Sequence, residues 1–440
     1  MEKNATLACG LQAGRLSEQD YAENFGDSHP PLNLQQALIE ADRCYYCHDA
    51  PCVTACPTGI DIPSFIQRIA QENNRGAAQA ILEANPLGGI CARVCPTEVL
   101  CEQACVRNTN ESKPVEIGAL QRFATDAYFA RPGKPLFTRA AETGRKVAIV
   151  GAGPAGLACA HGLARKGHQV VLFDARPKLG GLNEYGLATY KTAGDFAQRE
   201  VEWLLSIGGI EVRTEQRLGR DFTLESLLSS YDAVFLGLGL AGVNALGVAE
   251  DQGPVVRDAV DFIAELRQAA DPAEVPVGRR VVVIGGGMTA VDAAVQSRLL
   301  GAEQVTIAYR RGPENMGASK VEQEWAQTNG VSIRHWATPK AVTAQGVLFA
   351  AGDEEFLLEA DMVLRAIGQK YLPEAAGNAI ALKDGRILTD EQGRTGLSRV
   401  WAGGDCRFGG RDLTVEAVEH GKQAAIDIDL VLSNPEKAHG

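Results

Sequence analysis

The stretch KVAIVGAGPAGLACAHGLARKGHQVVLFD, residues 146–174, decides the fold of most of this chain. Lys146 to Val150 is an apolar run of strand character. Gly151, Gly153 and Gly156 follow at G-x-G-x-x-G spacing and open a helix that runs through Arg165. A second apolar strand, QVVLF, leads to Asp174. Strand, glycine loop, helix, strand and acid together form a dinucleotide-binding βαβ unit. The glycines allow a tight turn, close approach of backbone to a pyrophosphate, and close helix–strand packing. The free N–H groups at the helix start suit phosphate. Asp174 is placed to accept a hydrogen bond from a ribose hydroxyl. Such units build α/β folds with parallel sheets.

The pattern recurs. RRVVVI (279–284) leads into Gly285, Gly286, Gly287, Met288, Thr289 and Ala290, then a helix to Leu300 and the strand QVTIAY. Ala290 stands where the third glycine would be, which the fingerprint tolerates. This strand ends in Arg310 and Arg311 instead of an acid. Two arginines there suit the 2′-phosphate of NADP, and equally suit a solvated surface, so they leave NAD and NADP both open. Near the end, RVWAGGD (399–405) reads as a strand running into Gly403, Gly404 and Asp405, with a helix beginning near Leu413. Two nucleotide folds and a late Gly-Gly-Asp resemble the layout of two-dinucleotide flavoproteins. That resemblance implies an FAD-binding domain over 134–245 and 367–440, interrupted by an NAD(P)-binding domain over 246–366.

Upstream, eight of the eleven cysteines lie between Cys44 and Cys105. They read Cys44-x2-Cys47-x4-Cys52-x3-Cys56-Pro57 and Cys91-x3-Cys95-Pro96-x5-Cys101-x3-Cys105. Soft thiolates at this density, in runs punctuated by proline, suit iron–sulfur clusters, at about four ligands each. Structural zinc is the main rival, but its pairs usually form short C-x2-C hooks. A disulfide framework belongs to short secreted chains. Between the cysteines, Leu34 to Ala41, Phe65 to Ala70 and Ala77 to Leu82 carry apolar residues at helical spacing. Residues 1–133 therefore read as a helical domain with two 4Fe–4S clusters, and 131–145, rich in Pro and Gly, as a linker.

Composition narrows the function. A net charge of −12 excludes nucleic acid as the expected partner. No run of 18 apolar residues occurs, so no membrane span is expected. The opening MEKNATLACG lacks a basic region followed by an apolar run, and clustered free cysteines fit a reducing compartment, so a cytoplasmic protein is expected. The nucleotide folds hold only Cys159 and Cys406, far apart in sequence, so no redox dithiol pair is available there. Electrons then have the cysteine domain as their exit.

The chain from about residue 33 to 432 resembles the electron-input flavoproteins of the glutamate synthase small-subunit type, including the corresponding half of dihydropyrimidine dehydrogenase. The resemblance rests on ADRCYYCHDAPCVTACPTGIDI, ICARVCPTEVLCEQAC, VEIGALQRFATD, IVGAGPAGLACA, KLGGLNEYG, VIGGGMTAVDAA and VWAGGDC. GGLNEYGLATYK and Met288 in GGGMTAVD resemble the pyrimidine branch more than the glutamate branch.

The resemblance implies a ligand set that simple counting does not. One cluster would take Cys44, Cys47, Cys52 and Cys105. The other would take Cys56, Cys95, Cys101 and Gln121, which lies 16 residues after Cys105. Cys91 would be no ligand. FAD contacts are implied at Gly151, Ala152, Gly153, Pro154, Ala155, Asp174, Gly181, Leu182, Lys191, Gly404, Asp405 and Thr414. Lys191 is the candidate catalytic residue, as a tuner of the flavin. Nicotinamide-nucleotide contacts are implied at Gly287, Met288, Thr289, Arg310, Arg311, Ala366, Ile367 and Gly368. NADP-binding relatives carry a further arginine just past the strand-end pair; Gly317 stands there, which tilts the expectation to NAD. The implied activity is oxidation of NADH, with electrons passing by FAD and two 4Fe–4S clusters to a separate FMN-containing subunit that reduces uracil or thymine, in a hetero-oligomer. A TIM barrel of ≈ 250 residues has no room on the chain. A glutamate synthase small subunit, an NAD(P)H–ferredoxin-type oxidoreductase and a redox-sensing flavoprotein are the alternatives.

Overall fold

The computed structural model describes residues 12–131, 133–250, 253–373, 377 and 379–434. The chain divides into two units. One comprises Met1–Ser28, Glu184–Gly194 and Gly242–Lys370; the other comprises His29–Asn183, Asp195–Ala241 and Tyr371–Gly440.

Each unit is built on a five-stranded parallel sheet with a fingerprint strand at its centre. In the larger unit the order is Val400–Ala402, Ala233–Leu236, Lys146–Val150, Gln169–Phe173 and Ile210–Arg213. In the smaller it is Val331–Arg334, Gln304–Ala308, Arg280–Gly285, Met362–Ala366 and Val255–Asp258. The central strands read as unbroken apolar runs because both faces are covered. Val147, Ala148 and Ile149 are fully buried, and so is Val283. In both sheets the chain leaves the central strand toward one side and later returns on the other. That reversal opens a crevice at the carboxyl end, where nucleotides bind.

The larger unit also contains the cysteine region. Its helices Leu34–Asp42, Ile62–Ala70 and Asn74–Ala84 coincide with the three apolar-spaced windows, and each is capped by a side chain: Asn33, Asp61 and Asn73 accept from the backbone N–H groups of Gln36, Ser64 and Gly76. Phe65, Ile66, Ile69, Ile81 and Leu120 form its core. This region is not separate from the first nucleotide fold. Phe129, at the end of helix Ile117–Ala130, meets Phe196 and Trp203 edge-on at 5.6 and 5.7 Å, and Trp203 Nε1 donates to Tyr128 Oη at 3.1 Å.

Two segments depart from the expected domain boundaries. Residues 12–28, which the sequence groups with the cysteines, pack on the second nucleotide fold. The cause is a short apolar helix face: Tyr21 and Phe25 enter that core, and Asn24 Nδ2 donates to Leu299 O at 2.8 Å. Glu184–Gly194, expected in the FAD domain, also joins this unit, with Ala188 and Tyr190 in its core. The unit further holds a four-stranded sheet of Glu354–Glu359, Gly346–Ala351, Thr338–Thr343 and Ala249–Glu250 that sequence reading did not single out. Among the described residues, no helix is long and apolar enough to cross a membrane.

Candidate functional site: two glycine loops and a double cysteine cradle

At the first loop, Gly151 has φ +96°, and a Cβ there would lie 2.2 Å from the Gly237 carbonyl oxygen. A Cβ on Gly156 would lie 1.8 Å from the Gly151 oxygen. Both positions accept only glycine. Pro154 starts helix Pro154–Arg165 and Gly153 caps it, so Ala152 and Gly153 lie in the loop and Pro154 and Ala155 in the first turn. Asp174 accepts from Ala152 N–H at 2.7 Å and Arg176 N–H at 2.8 Å. Burial pushes its pKa up against the pull of those N–H groups. The carboxylate thus braces the loop and keeps lone pairs for a ribose. Gly181, at φ +55°, lies so close to Gly153 that a Cβ would come within 2.7 Å of its Cα; Leu182 follows at the start of a short helix.

The late Gly-Gly-Asp closes the same crevice. Gly404 has φ +74°, and a Cβ there would meet Ala155 Cβ at 3.1 Å. Burial, reinforced by Asp412, pushes Asp405 up to about 6, with Arg386 opposing. Thr414 begins helix Thr414–Ser433, and its hydroxyl donates to Asn183 Oδ1 at 2.9 Å. That helix crosses Pro154–Arg165 so tightly that a Cβ on Gly421 would lie 2.1 Å from Ala155 O. His420 was not anticipated from sequence. Its Nδ1 accepts from Gly404 N–H at 3.2 Å, and burial lowers its pKa to about 4, so the neutral ring holds the turn. A lone histidine outside any motif gave no signal of this.

In the smaller unit, Gly285 sits with φ +150° against Ala366 O, while Gly287 is open: a Cβ there would meet nothing within 4 Å. Gly287 caps helix Met288–Leu299, so Met288 and Thr289 form its first turn. Ala366, Ile367 and Gly368 follow the neighbouring strand, and the carbonyls of Ile367 and Gly368 accept from Asn244 Nδ2. Arg310 and Arg311 stand at the next strand end, both exposed. Gly317 lies beside the loop: its Cβ position is 3.7 Å from Gly287 Cα, and Ala318 N–H donates to Gly286 O at 2.9 Å.

The cysteines fall into two groups in space. Cys44, Cys47, Cys52 and Cys105 line one hollow, with Tyr45, Ile66 and Val106. Arginines bring the distant Cys105 there. Arg107 Nε donates to Arg43 O at 2.5 Å, and Arg43 donates to the carbonyls of Lys113 and Pro114. Burial, then Cys44 and Cys105, push the Cys52 thiol up to about 12. Cys56, Cys95 and Cys101 form the second group. The Cys95 thiol is raised by its hydrogen bond with Cys91, by burial, and by Cys101 and Cys56; Cys101 is raised by burial, Glu102 and Cys56. Gln121 is buried on helix Ile117–Ala130, and its Nε2 donates to Gly88 O at 2.7 Å. All described cysteines are unpaired. Among the described residues, no three Cys, His, Asp or Glu side chains converge as around a single ion. Four thiols around a hollow fit a cluster, whose own sulfides and irons fill the centre.

Family comparison agrees with this geometry. Residues 21–132 match the model described as dihydropyrimidine dehydrogenase domain II, 4Fe-4S cluster, and residues 145–421 match pyridine nucleotide-disulphide oxidoreductase. The chain belongs to the pyridine nucleotide-disulphide oxidoreductases. It is 35% identical to the putative oxidoreductase UacF of Escherichia coli K12, over 94% of this chain and 71% of that one. It is 34% identical to the NAD-dependent dihydropyrimidine dehydrogenase subunit PreT of Salmonella typhimurium, over 93% and 97% respectively. It is 34% identical to the glutamate synthase [NADPH] small chain of E. coli K12, over 91% and 92%. Thioredoxin reductase of T. acidophilum shares the fold, with a TM-score of 0.54 at 20% identity over 66% of this chain and 99% of that one. As a pyridine nucleotide-disulphide oxidoreductase with an added iron–sulfur domain, the protein is an oxidoreductase that uses FAD, 4Fe–4S clusters and a nicotinamide nucleotide. Its kinship with named subunits points to a multi-subunit enzyme.

Within this oxidoreductase, one expected site residue stands apart. Lys191 belongs to the smaller unit, not to the unit that carries the first glycine loop. Its Nζ pairs with Asp292 at 2.8 Å and Glu322 at 2.7 Å. Burial opposes the charge, but the two carboxylates outweigh it and the pKa is raised. A lysine held this way is a bolt inside the second nucleotide fold. Glu200 is the opposite surprise. Fully buried on helix Phe196–Leu205, it accepts from Gly89 N–H at 2.7 Å and from Ile90 N–H, at the start of the helix that ends before Cys95. Burial pushes it up to about 8.

Proposed function

We propose that this chain is the electron-input subunit of a dihydropyrimidine dehydrogenase. It oxidises NADH and delivers electrons, by FAD and two 4Fe–4S clusters, to a separate FMN-containing subunit that reduces uracil or thymine to the 5,6-dihydro base. Bound flavin supplies the exchange between a two-electron hydride and one-electron carriers. The chain's residues do the holding. Gly287, Met288, Thr289, Ala366, Ile367 and Gly368 hold the nicotinamide nucleotide, with Arg310 and Arg311 at its ribose end. Gly151 to Ala155, Asp174, Gly181, Leu182, Gly404, Asp405 and Thr414 hold FAD. Cys56, Cys95, Cys101 and Gln121 hold one cluster, and Cys44, Cys47, Cys52 and Cys105 the other. Gln121, with its amide nitrogen engaged by Gly88, offers its oxygen to iron.

One observation carries the reading. Leu413 and Val415, which flank Thr414, pack with Cys91 and Cys95 in a single apolar cluster. The start of the flavin-contacting helix therefore meets the second cysteine group through apolar side chains. That supports an order in which the Cys95 group is the inner relay and the Cys44 group, around a surface hollow, faces the partner. Gly317, whose side chain would reach the loop, supports NAD as the nucleotide.

The test is reconstitution. The anaerobic chain should hold roughly eight iron and eight sulfide, four of each per cluster. With NADH, a pyrimidine-binding FMN subunit and uracil, it should form dihydrouracil, and Cys101→Ala should abolish this while NADH still bleaches the flavin. The glutamate synthase small-chain reading has the support of an equal 34% identity. Glutamate formation with a large glutamine amidotransferase subunit, and no dihydrouracil, would replace the first reading with that one.

A further inference from the structure

The chain between Cys56 and Gly59 is a tight turn. Gly59 N–H donates to Cys56 O at 2.9 Å, Pro57 occupies the second position, and Gly59 adopts φ +65°, a left-handed value that favours glycine. Thr58, only 5% exposed, is folded back by this turn so that its Oγ1 lies 3.4 Å from Cys56 Sγ. The turn is also held from the flavin fold. Lys422, on helix Thr414–Ser433, donates to Thr58 O at 3.1 Å and pairs with Glu419 at 2.7 Å. Thus the helix whose first residue contacts flavin grips, two turns along, the loop of a cluster cysteine.

A cysteine that ligates iron is a thiolate and has no proton to give. In the Cys56–Thr58 contact, the hydroxyl must then be the donor. A hydrogen bond to a cluster sulfur stabilises the more negative, reduced state and raises the reduction potential. We propose that Thr58 sets the potential of the cluster held by Cys56, by donating its hydroxyl proton to that sulfur, and that Lys422 fixes the turn for this purpose. The inference rests on Cys56 being a ligand, as proposed above. Thr58 is a positioning residue for the inner relay; it touches neither nucleotide nor substrate.

The experiment is potentiometric titration of the full-length anaerobic holoprotein, followed by electron paramagnetic resonance. Cys56→Ala, which leaves no donor atom for iron, first identifies which signal belongs to this cluster; if it keeps both signals unchanged, Cys56 is no ligand and the underlying reading fails independently. Thr58→Val should then move that one signal to more negative potential and leave the other in place. Thr58→Ser, which keeps the hydroxyl, should titrate as wild type. Lys422→Gln should shift the same signal in the same direction by less. A Thr58→Val protein that titrates at the wild-type potential, or that shifts both signals alike, would overturn the proposal. So would loss of iron from both Thr58→Val and Thr58→Ala with Thr58→Ser intact, since the hydroxyl would then serve assembly and not tuning.

Discussion

The two nucleotide folds share a five-stranded parallel sheet and a glycine loop, yet the third position of the loop differs: Gly156 in the first, Ala290 in the second. In the first, Gly151 and Gly156 are walled in by the carbonyls of Gly237 and Gly151. In the second, Gly285 is equally confined and Gly287 is as free of close contacts as its counterpart Gly153, but the third position already carries the Cβ of the buried Ala290. The first loop also has a carboxylate, Asp174, bonded directly to its backbone, while the second ends its βαβ unit in a pair of arginines. The contrast suits a fold that keeps a resident cofactor beside one that exchanges its nucleotide at every turnover. A retained ligand rewards a rigid cradle, and a released one does not.

The strongest way to break this contrast is to add one methyl to each loop. Gly151→Ala places a Cβ into the Gly237 carbonyl at a positive φ, so the purified protein should lack the visible absorbance of flavin. Gly287→Ala should keep full flavin content and lose only affinity for NADH, seen as a raised KM in dye reduction. Equal flavin in both variants would erase the distinction. A second test removes the bolt in the smaller unit. Lys191→Met removes the cation shared by the buried Asp292 and the partly buried Glu322 and should cost about 3–5 kcal/mol, read as a fall in melting temperature. If it instead shifts the flavin potential with melting unchanged, Lys191 tunes flavin and the ion pairs are incidental. The smallest effect concerns the arginine end. Gly317→Arg adds a cation next to the loop and should raise kcat/KM for NADPH about tenfold, the worth of one charge-assisted hydrogen bond. No gain with NADPH would show that position 317 does not govern nucleotide choice.

Legibility followed the range of the interactions involved. Both βαβ units, the three helices of the cysteine region and the late Gly-Gly-Asp are local patterns, and they fold where their spacing says. The grouping of Cys105 with Cys44 is not local. It depends on Arg107 reaching the carbonyl of Arg43, 64 positions away, and only family resemblance anticipated it. The attachment of residues 184–194 to the second fold likewise depends on Asp292 and Gln296 accepting from the backbone of Ala188 and Thr189. Those acceptors lie about a hundred residues downstream, and nothing in the segment itself announces them. The ion pairs of Lys191 are illegible for the same reason: its family position suggests flavin, and its carboxylate partners lie at 292 and 322.

Glu200 has a consequence for anyone who would treat this chain as interchangeable cassettes. The linker at 131–145 looks like a place to cut. Yet the carboxyl that caps the start of the helix before Cys95 comes from the flavin side of that cut, and Phe196 and Trp203 come with it. A cysteine cassette excised at the linker would leave Gly89 and Ile90 N–H groups unsatisfied and an aromatic face bare. Transplanting the iron–sulfur region onto a foreign reductase therefore means carrying helix Phe196–Leu205 along, or redesigning the surface it leaves behind.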